Sequence, residues 1–130
     1  MARVERFEDL LAWQRGMDLV TTCYALLRNG AFARDFALAD QLRRAAISVP
    51  ANIAEGFERG SRSEFHRFLC IAKASCGEVR THLYLARRLG YVDDQSAREA
   101  LAEAEEVSRI ISGLRTTVAR HRDTQSPKAR

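Results

Sequence analysis

The chain has no apolar run approaching the roughly 20 residues that a helix needs to cross a bilayer. Its opening Met1-Ala2-Arg3-Val4-Glu5-Arg6 leads into no signal-type stretch, so a soluble, cytoplasmic protein with no membrane partner is expected. Cysteine is scarce and odd in number. Cys23, Cys70 and Cys76 form no Cys-x-x-Cys, which argues against a disulfide framework or zinc knuckle and for core or half-buried positions. Three histidines, no Glu-x-x-His and no phosphate-cradling glycine loop leave little for catalysis. Glu78 with His82, and His66 with Cys70, are each four apart and supply at most half of a metal site. No nucleophile stands beside a base, so a non-enzyme without metal or cofactor is expected. No helix-turn-helix precedes or follows the helices, which argues against a ligand-responsive transcription regulator.

What is present suits one small globular domain. Of 130 residues, 46% are hydrophobic and 29% charged, near globular averages, and the length supports a single core. One domain is expected over residues 1–121, followed by a flexible polar tail over 122–130. The net charge of +4 is unevenly spread. Residues 1–92 carry 14 basic and 10 acidic side chains, residues 93–106 one and six, and residues 107–130 six and one. Of the 21 basic residues 19 are arginine, a bias that suits phosphate contacts and that a GC-rich genome also produces.

The apolar residues repeat with a helical period throughout. Leu10, Trp13, Met17, Val20, Tyr24 and Leu27 form a 3-4-3-4-3 seam, predicting a first helix from about Asp9 to Asn29 that stops at Asn29-Gly30. Ala12, Leu19, Cys23 and Leu26 widen its apolar arc to roughly 200°, more than one bundle core requires. A second helix opens at Asp35 as N-cap, runs through Ala39, Leu42, Ala46, Val49, Ile53 and Gly56 to about Glu58, and is expected to kink at Pro50. Two shorter helices are the alternative there. Ser61-Arg62-Ser63-Glu64 reads as a capping box opening a third helix, whose buried face is Phe65, Phe68, Ala72, Cys76, Val79, Leu83 and Ala86. Asp93 or Asp94 caps a fourth, with Ala97, Leu101, Ala104, Val107, Ile111, Leu114 and Val118 as its seam. Four such helices with short connections imply an all-α, antiparallel up-down-up-down four-helix bundle.

The segment Gln41-Leu42-Arg43-Arg44-Ala45-Ala46-Ile47-Ser48-Val49-Pro50-Ala51-Asn52-Ile53-Ala54-Glu55-Gly56-Phe57 closely resembles the signature of a known family. That family is encoded in intervening sequences of bacterial large-subunit ribosomal RNA genes. It is similar to the accessory variability determinant of diversity-generating retroelements. Further matches follow in the expected order: Leu11 and Trp13, then Phe65, Phe68, Leu69, Ala72, Ser75 and Glu78, then Leu89-Gly90-Tyr91. Phe32-Ala33 stands where many members carry Phe-Pro. The resemblance covers about Phe7 to Val118. It implies a four-helix protomer assembling into a barrel-like homopentamer, nucleic-acid binding and, for the retroelement members, contact with a reverse transcriptase.

Two polar patterns are candidate sites. Gln41, Arg44, Ser48, Asn52, Glu55, Arg59 and Arg62 fall within about 80° of one another, opposite the seam of the second helix. A solvated face, a ligand contact and a polar network between helices or protomers are all compatible with Gln41, Arg44, Ser48, Asn52 and Glu55. Leu19 and Leu26, on the widened arc of the first helix, join these as candidate oligomer contacts. In the third helix His66, Lys73, Arg80 and Arg87 recur at seven-residue spacing and stay on one side of a supercoiled bundle. With Arg59, Arg62, Arg120 and Arg122 they form the candidate nucleic-acid surface, or a plain charged face. No aromatic is interleaved in the line, so binding to RNA or DNA is expected to be salt-sensitive and tolerant of sequence. A protein partner such as a reverse transcriptase is the alternative. In the fourth helix, early acids and late bases complement the helix dipole, or bring the acidic half of one protomer to a basic face of the next.

Overall fold

A computed structural model gives the architecture and describes residues 4–28 and 30–129, the side chains only as far as Arg120. The Arg122 side chain, those of the tail expected over 122–130, and the Asn29 half of the Asn29-Gly30 stop lie outside them. A 3-10 turn (Phe7–Asp9) precedes α1 (Leu11–Leu26), a short α2 (Gly30–Arg34), α3 (Phe36–Glu58), α4 (Arg62–Arg88) and α5 (Asp94–Ala129). The described residues contain no strand. The four expected helices are α1, α3, α4 and α5. Each packs on two neighbours, in the cyclic order α1, α3, α4, α5 and back to α1.

Neighbours run antiparallel, as the cross-links show. Early α3 meets the end of α4 through Tyr91, whose hydroxyl donates to Asp35 Oδ2 at 2.8 Å, while Ser48 of mid-α3 meets Ser75 of mid-α4. The C-terminal half of α1 meets the N-terminal half of α5, where the Thr22 hydroxyl donates to Glu103 Oε1 at 2.7 Å.

The helix starts follow their capping residues. Asp35 Oδ1 accepts the Leu38 N–H, Ser61 Oγ the Glu64 N–H and Asp93 Oδ1 the Ser96 N–H, each satisfying a donor that the first turn leaves unpaired. Pro50 lies inside α3, which continues through it as one helix. The seams expected for α3, α4 and α5 are buried, apart from half-buried Phe65 and Leu114 at their ends.

The seam expected for the first helix reaches the core only at its ends, Leu10 and Leu27, which flank α1. Ala12, Gly16, Leu19 and Cys23 are buried, whereas Met17 and Tyr24 are exposed and Trp13 and Val20 half-buried. The reason is close packing. Gly16 lies against Val49 and Pro50, and a Cβ there would stand 3.3 Å from Val49 Cγ1. The small residues therefore mark the contact, and the large ones are displaced to its flank. The helix also ends about a turn early. Leu27 donates back to Tyr24, and Gly30, at φ 86°, opens α2, which buries Phe32.

Candidate functional site

The residues of the signature segment and its later matches hold the helices to one another. Asn52 Nδ2 donates at 2.8 Å to both the carbonyl and the hydroxyl oxygen of Ser48, and the Ser48 hydroxyl bonds Ser75 Oγ on α4 at 2.8 Å. This knot lies two residues either side of Pro50, which has no N–H to donate within α3. A Cβ added at Gly56 would stand 2.5 Å from Phe68 Cβ, so the glycine sets how closely α3 approaches α4. The Tyr91 ring stacks on Phe32 at 5.5 Å while its hydroxyl reaches Asp35, tying the α4–α5 corner to α2 and the start of α3.

The rest of the polar stripe is occupied locally. Gln41, Arg44 and Glu55 are exposed; Arg44 pairs with Asp40 at 2.8 Å and Glu55 with Arg59 at 3.1 Å. Such exposed, solvent-screened pairs contribute little to stability. Leu19 is 0% exposed, in the core of its own protomer, which corrects its assignment as an oligomer contact; Leu26 is half-buried and packs on that core.

The apolar surface of α1 lies one step round the helix. Met17 (44% exposed), Tyr24 (42%) and half-buried Trp13 and Val20 line its α3 side. Ile47 (45%) continues the stripe on α3, near Arg43, whose guanidinium stands 5.8 Å over the Tyr24 ring. A separate apolar hollow of about 330 Å³ lies between early α3 and late α4, lined by Ala37, Leu38, Gln41, Leu85 and Leu89.

The basic line runs along the flank of α4 that faces α5. Cys70, one turn after His66, lies 3.6 Å from Arg115 Nη1 of α5, and Tyr84 and Arg87 share a groove with α5 residues. His66, Lys73, Arg80 and Arg87 are all half-buried. Their repeat spans about 10.5 Å per step along the axis. Arg80 Nε is buried without a hydrogen-bond partner. Arg59 is engaged within the chain, by Glu55, by Glu64 at 3.7 Å and over the Phe68 ring at 5.0 Å. Arg62 and Arg120 are exposed, at the first turn of α4 and late in α5.

One member of this flank escaped the seven-residue pattern. Tyr84, four residues after Arg80 and three before Arg87, is 42% exposed, with the Arg87 guanidinium 5.5 Å from its ring centre. The basic line therefore does carry an accessible aromatic. The i+4/i−3 offset from its arginines was the signal that could have found it. The groove beside it has a volume of about 540 Å³ and is lined by Tyr84, Arg87, Gln95, Arg98, Glu99 and Glu105, together with Leu101 and Ala102.

The buried titratable groups take no part in this surface. Burial, reinforced by the Glu103 charge, pushes the Cys23 thiol up to about 12. Burial raises Cys76 to about 11, against the opposing charges of Lys73 and Arg80. Burial lowers the His82 imidazole, and Glu78 partly offsets it. Among the described residues no group of three or more His, Cys, Asp or Glu is placed to hold a metal ion, and no helix is long and apolar enough to cross a membrane.

Fold and surface together define a helical-bundle protein with one basic, partly grooved flank and one apolar stripe. Residues 8–113 match the model of the 23S rRNA-intervening sequence protein family, and the chain belongs to that family. A solved structure of similar fold is a protein of unknown function from the S23 ribosomal protein family of Bacteroides thetaiotaomicron VPI-5482. It is 20% identical, with a TM-score of 0.75 over 80% of this chain and 97% of that one. The curated proteins yielded no match.

Proposed function

We propose that the chain is a non-enzymatic, homo-oligomeric adaptor, pentameric as the family resemblance implies, that binds RNA or DNA through the α5-facing flank of α4. The observation that carries this reading is the line of Lys73, Arg80 and Arg87, half-buried on one flank with Arg80 Nε lacking an acceptor. Guanidinium groups held this way have lost part of their hydration and gain most from a phosphate oxygen. Binding driven by such contacts releases counterions, weakens steeply with salt and tolerates sequence. Titration of structured RNA and duplex DNA at several salt concentrations tests it, and absence of binding at low salt overturns it. Replacing Lys73 and Arg80 by Gln lowers affinity for all sequences alike and shallows the salt slope by about two.

A second reading, a scaffold whose essential partner is a protein such as a reverse transcriptase, is favoured by the apolar hollow at Leu85 and Leu89 and by Phe36 at the start of α3, 78% exposed. Affinity purification with and without nuclease separates the two. A partner retained after nuclease supports the scaffold, and one lost after nuclease supports the nucleic-acid adaptor.

A further inference from the structure

We infer that the groove between late α4 and early α5 holds an unpaired nucleotide, its base stacked on Tyr84 and its phosphates met by Arg87 and Arg98, so that the protein prefers single strands to duplex. The inference rests on the nucleic-acid reading above and specifies its substrate. Three features of the groove support it together.

The first is chemistry at one level of the bundle. Cys70 of α4 meets Arg115 of α5. In an antiparallel pair the register descends one residue for each one gained. Arg87 is thereby set close to the level of Arg98, and Arg80 close to that of Glu105. Two guanidinium-bearing residues therefore converge on the upper groove. The second is Tyr84, 42% exposed in the same groove with the Arg87 guanidinium over its ring at 5.5 Å, an aromatic of the kind on which unpaired bases stack irrespective of sequence once the guanidinium turns to a phosphate. The third is the acids. Glu99 and Glu105 line the same groove. A duplex presents phosphates to whatever it docks on, and these two carboxylates repel it there. An unpaired base turns its edge into the groove instead, where an exocyclic amino group donates to a carboxylate. Charge that opposes a duplex thus favours a splayed nucleotide. The volume of about 540 Å³ lies in the range of ligand sites.

Uracil has no exocyclic amine, so adenine or cytosine is preferred to uracil at this one position. The preference is superimposed on the sequence-tolerant binding of the rest of the line.

The test is fluorescence anisotropy at low salt with labelled oligo(A), oligo(C), oligo(U) and a duplex of equal length, using the full chain. Oligo(A) and oligo(C) should bind about tenfold more tightly than duplex. Tyr84→Leu should remove that advantage, whereas Tyr84→Phe retains it. Glu105→Gln should reduce the margin of oligo(C) over oligo(U). Tyr84 is exposed and Glu105 half-buried, and circular dichroism checks that the variants stay folded. Equal affinity for single strands and duplex, or a Tyr84→Leu variant that keeps the single-strand advantage, overturns the inference and leaves the adaptor reading standing. Failure of every nucleic acid to bind removes both.

Discussion

A methyl group added at Gly56 would meet Phe68 Cβ at 2.5 Å, whereas one added at Gly16 would meet the tip of Val49 at 3.3 Å. Both glycines lie within helices, where alanine is favoured by about 1 kcal/mol. The neighbour decides the sign. Phe68 Cβ is fixed to the backbone of α4, so Gly56→Ala forces two helices apart and should destabilise by about 2 kcal/mol net. At 3.3 Å Val49 Cγ1 need give by only a few tenths of an ångström, so Gly16→Ala should fall within about 1 kcal/mol of wild type. Urea unfolding of the two variants checks the contrast, and equal midpoints would refute the close-approach argument. The buried thiols make a pH prediction. Cys23 and Cys76 titrate near 9.0 when unfolded and are raised to about 12 and about 11 by burial. An acid whose folded pKa is raised gives stability that is intact below the unfolded value. Between pH 9 and 11 the unfolded chain ionises these thiols while the native chain does not, so each removes about 1.4 kcal/mol per pH unit. Cys23→Ala should flatten the alkaline loss of stability measured at pH 8 and pH 10. At pH 8, a thiol reagent should label half-buried Cys70 in the native protein and all three cysteines only after unfolding.

The Tyr91 side chain shows how a single contact can hold a junction between elements. Its hydroxyl bonds Asp35, which also caps α3, and its ring stacks on Phe32 of α2. Tyr91→Phe keeps the stack and removes the bond, which loosens this junction. Faster amide exchange in α2 and the first turn of α3, with the Ser48–Ser75 region unchanged, is the expected pattern; a uniform increase would mean the bond supports the whole bundle instead. The seams of α3, α4 and α5 were readable because large apolar residues repeat on one stripe and polar residues fill the rest. The register of α1 was not. Apolar residues cover over half its circumference, so the spacing of Leu10, Trp13, Met17, Val20 and Tyr24 fits a helical stripe without saying which side faces inward. Ala12 and Gly16 hold the answer, because close helix approach selects small side chains that a search for large ones passes over. The α1–α2 break was hidden for a related reason: Gly30 signals a stop but not the five-residue helix that follows it. At the candidate site the seven-residue basic line was legible from spacing alone. Tyr84 stands off the seven-residue repeat, so its i+4/i−3 offset from Arg80 and Arg87 places it near them, but the groove it lines is made only when α5 packs alongside.

Across the whole molecule, charge and apolar surface are assigned to different sides. The acids of α5 are partly used within the chain: Glu103 accepts from Thr22, and Glu106 pairs with Arg109 at 3.0 Å and approaches Arg15 of α1 at 3.9 Å. They are therefore a weaker candidate for meeting the basic flank of another copy than their segregation in the sequence suggests. In the stripe of Trp13, Met17, Val20, Tyr24 and Ile47, half-buried Trp13 and Val20 pack on the core and Arg43 lies over Tyr24, while Met17 and Ile47 are 44% and 45% exposed. The stripe lies along the α1–α3 flank, diagonally across the bundle from the α4–α5 groove, so a contact made there leaves the basic line open to nucleic acid. Assembly through this stripe predicts that Met17→Glu combined with Ile47→Glu yields a smaller species by native mass spectrometry and light scattering, with helical content and urea midpoint preserved because both side chains are at the surface. Leu19→Glu is the contrasting variant. It buries a carboxylate at a site with 0% exposure and should unfold the protomer. A double variant that keeps the wild-type mass would move the contact to another face, and the hollow at Leu85 and Leu89 is the next to mutate. A wild-type chain that stays monomeric at every concentration would remove the homo-oligomer. The groove at Tyr84 would then have to bind its nucleotide as a single copy, without the avidity that repetition around a ring supplies.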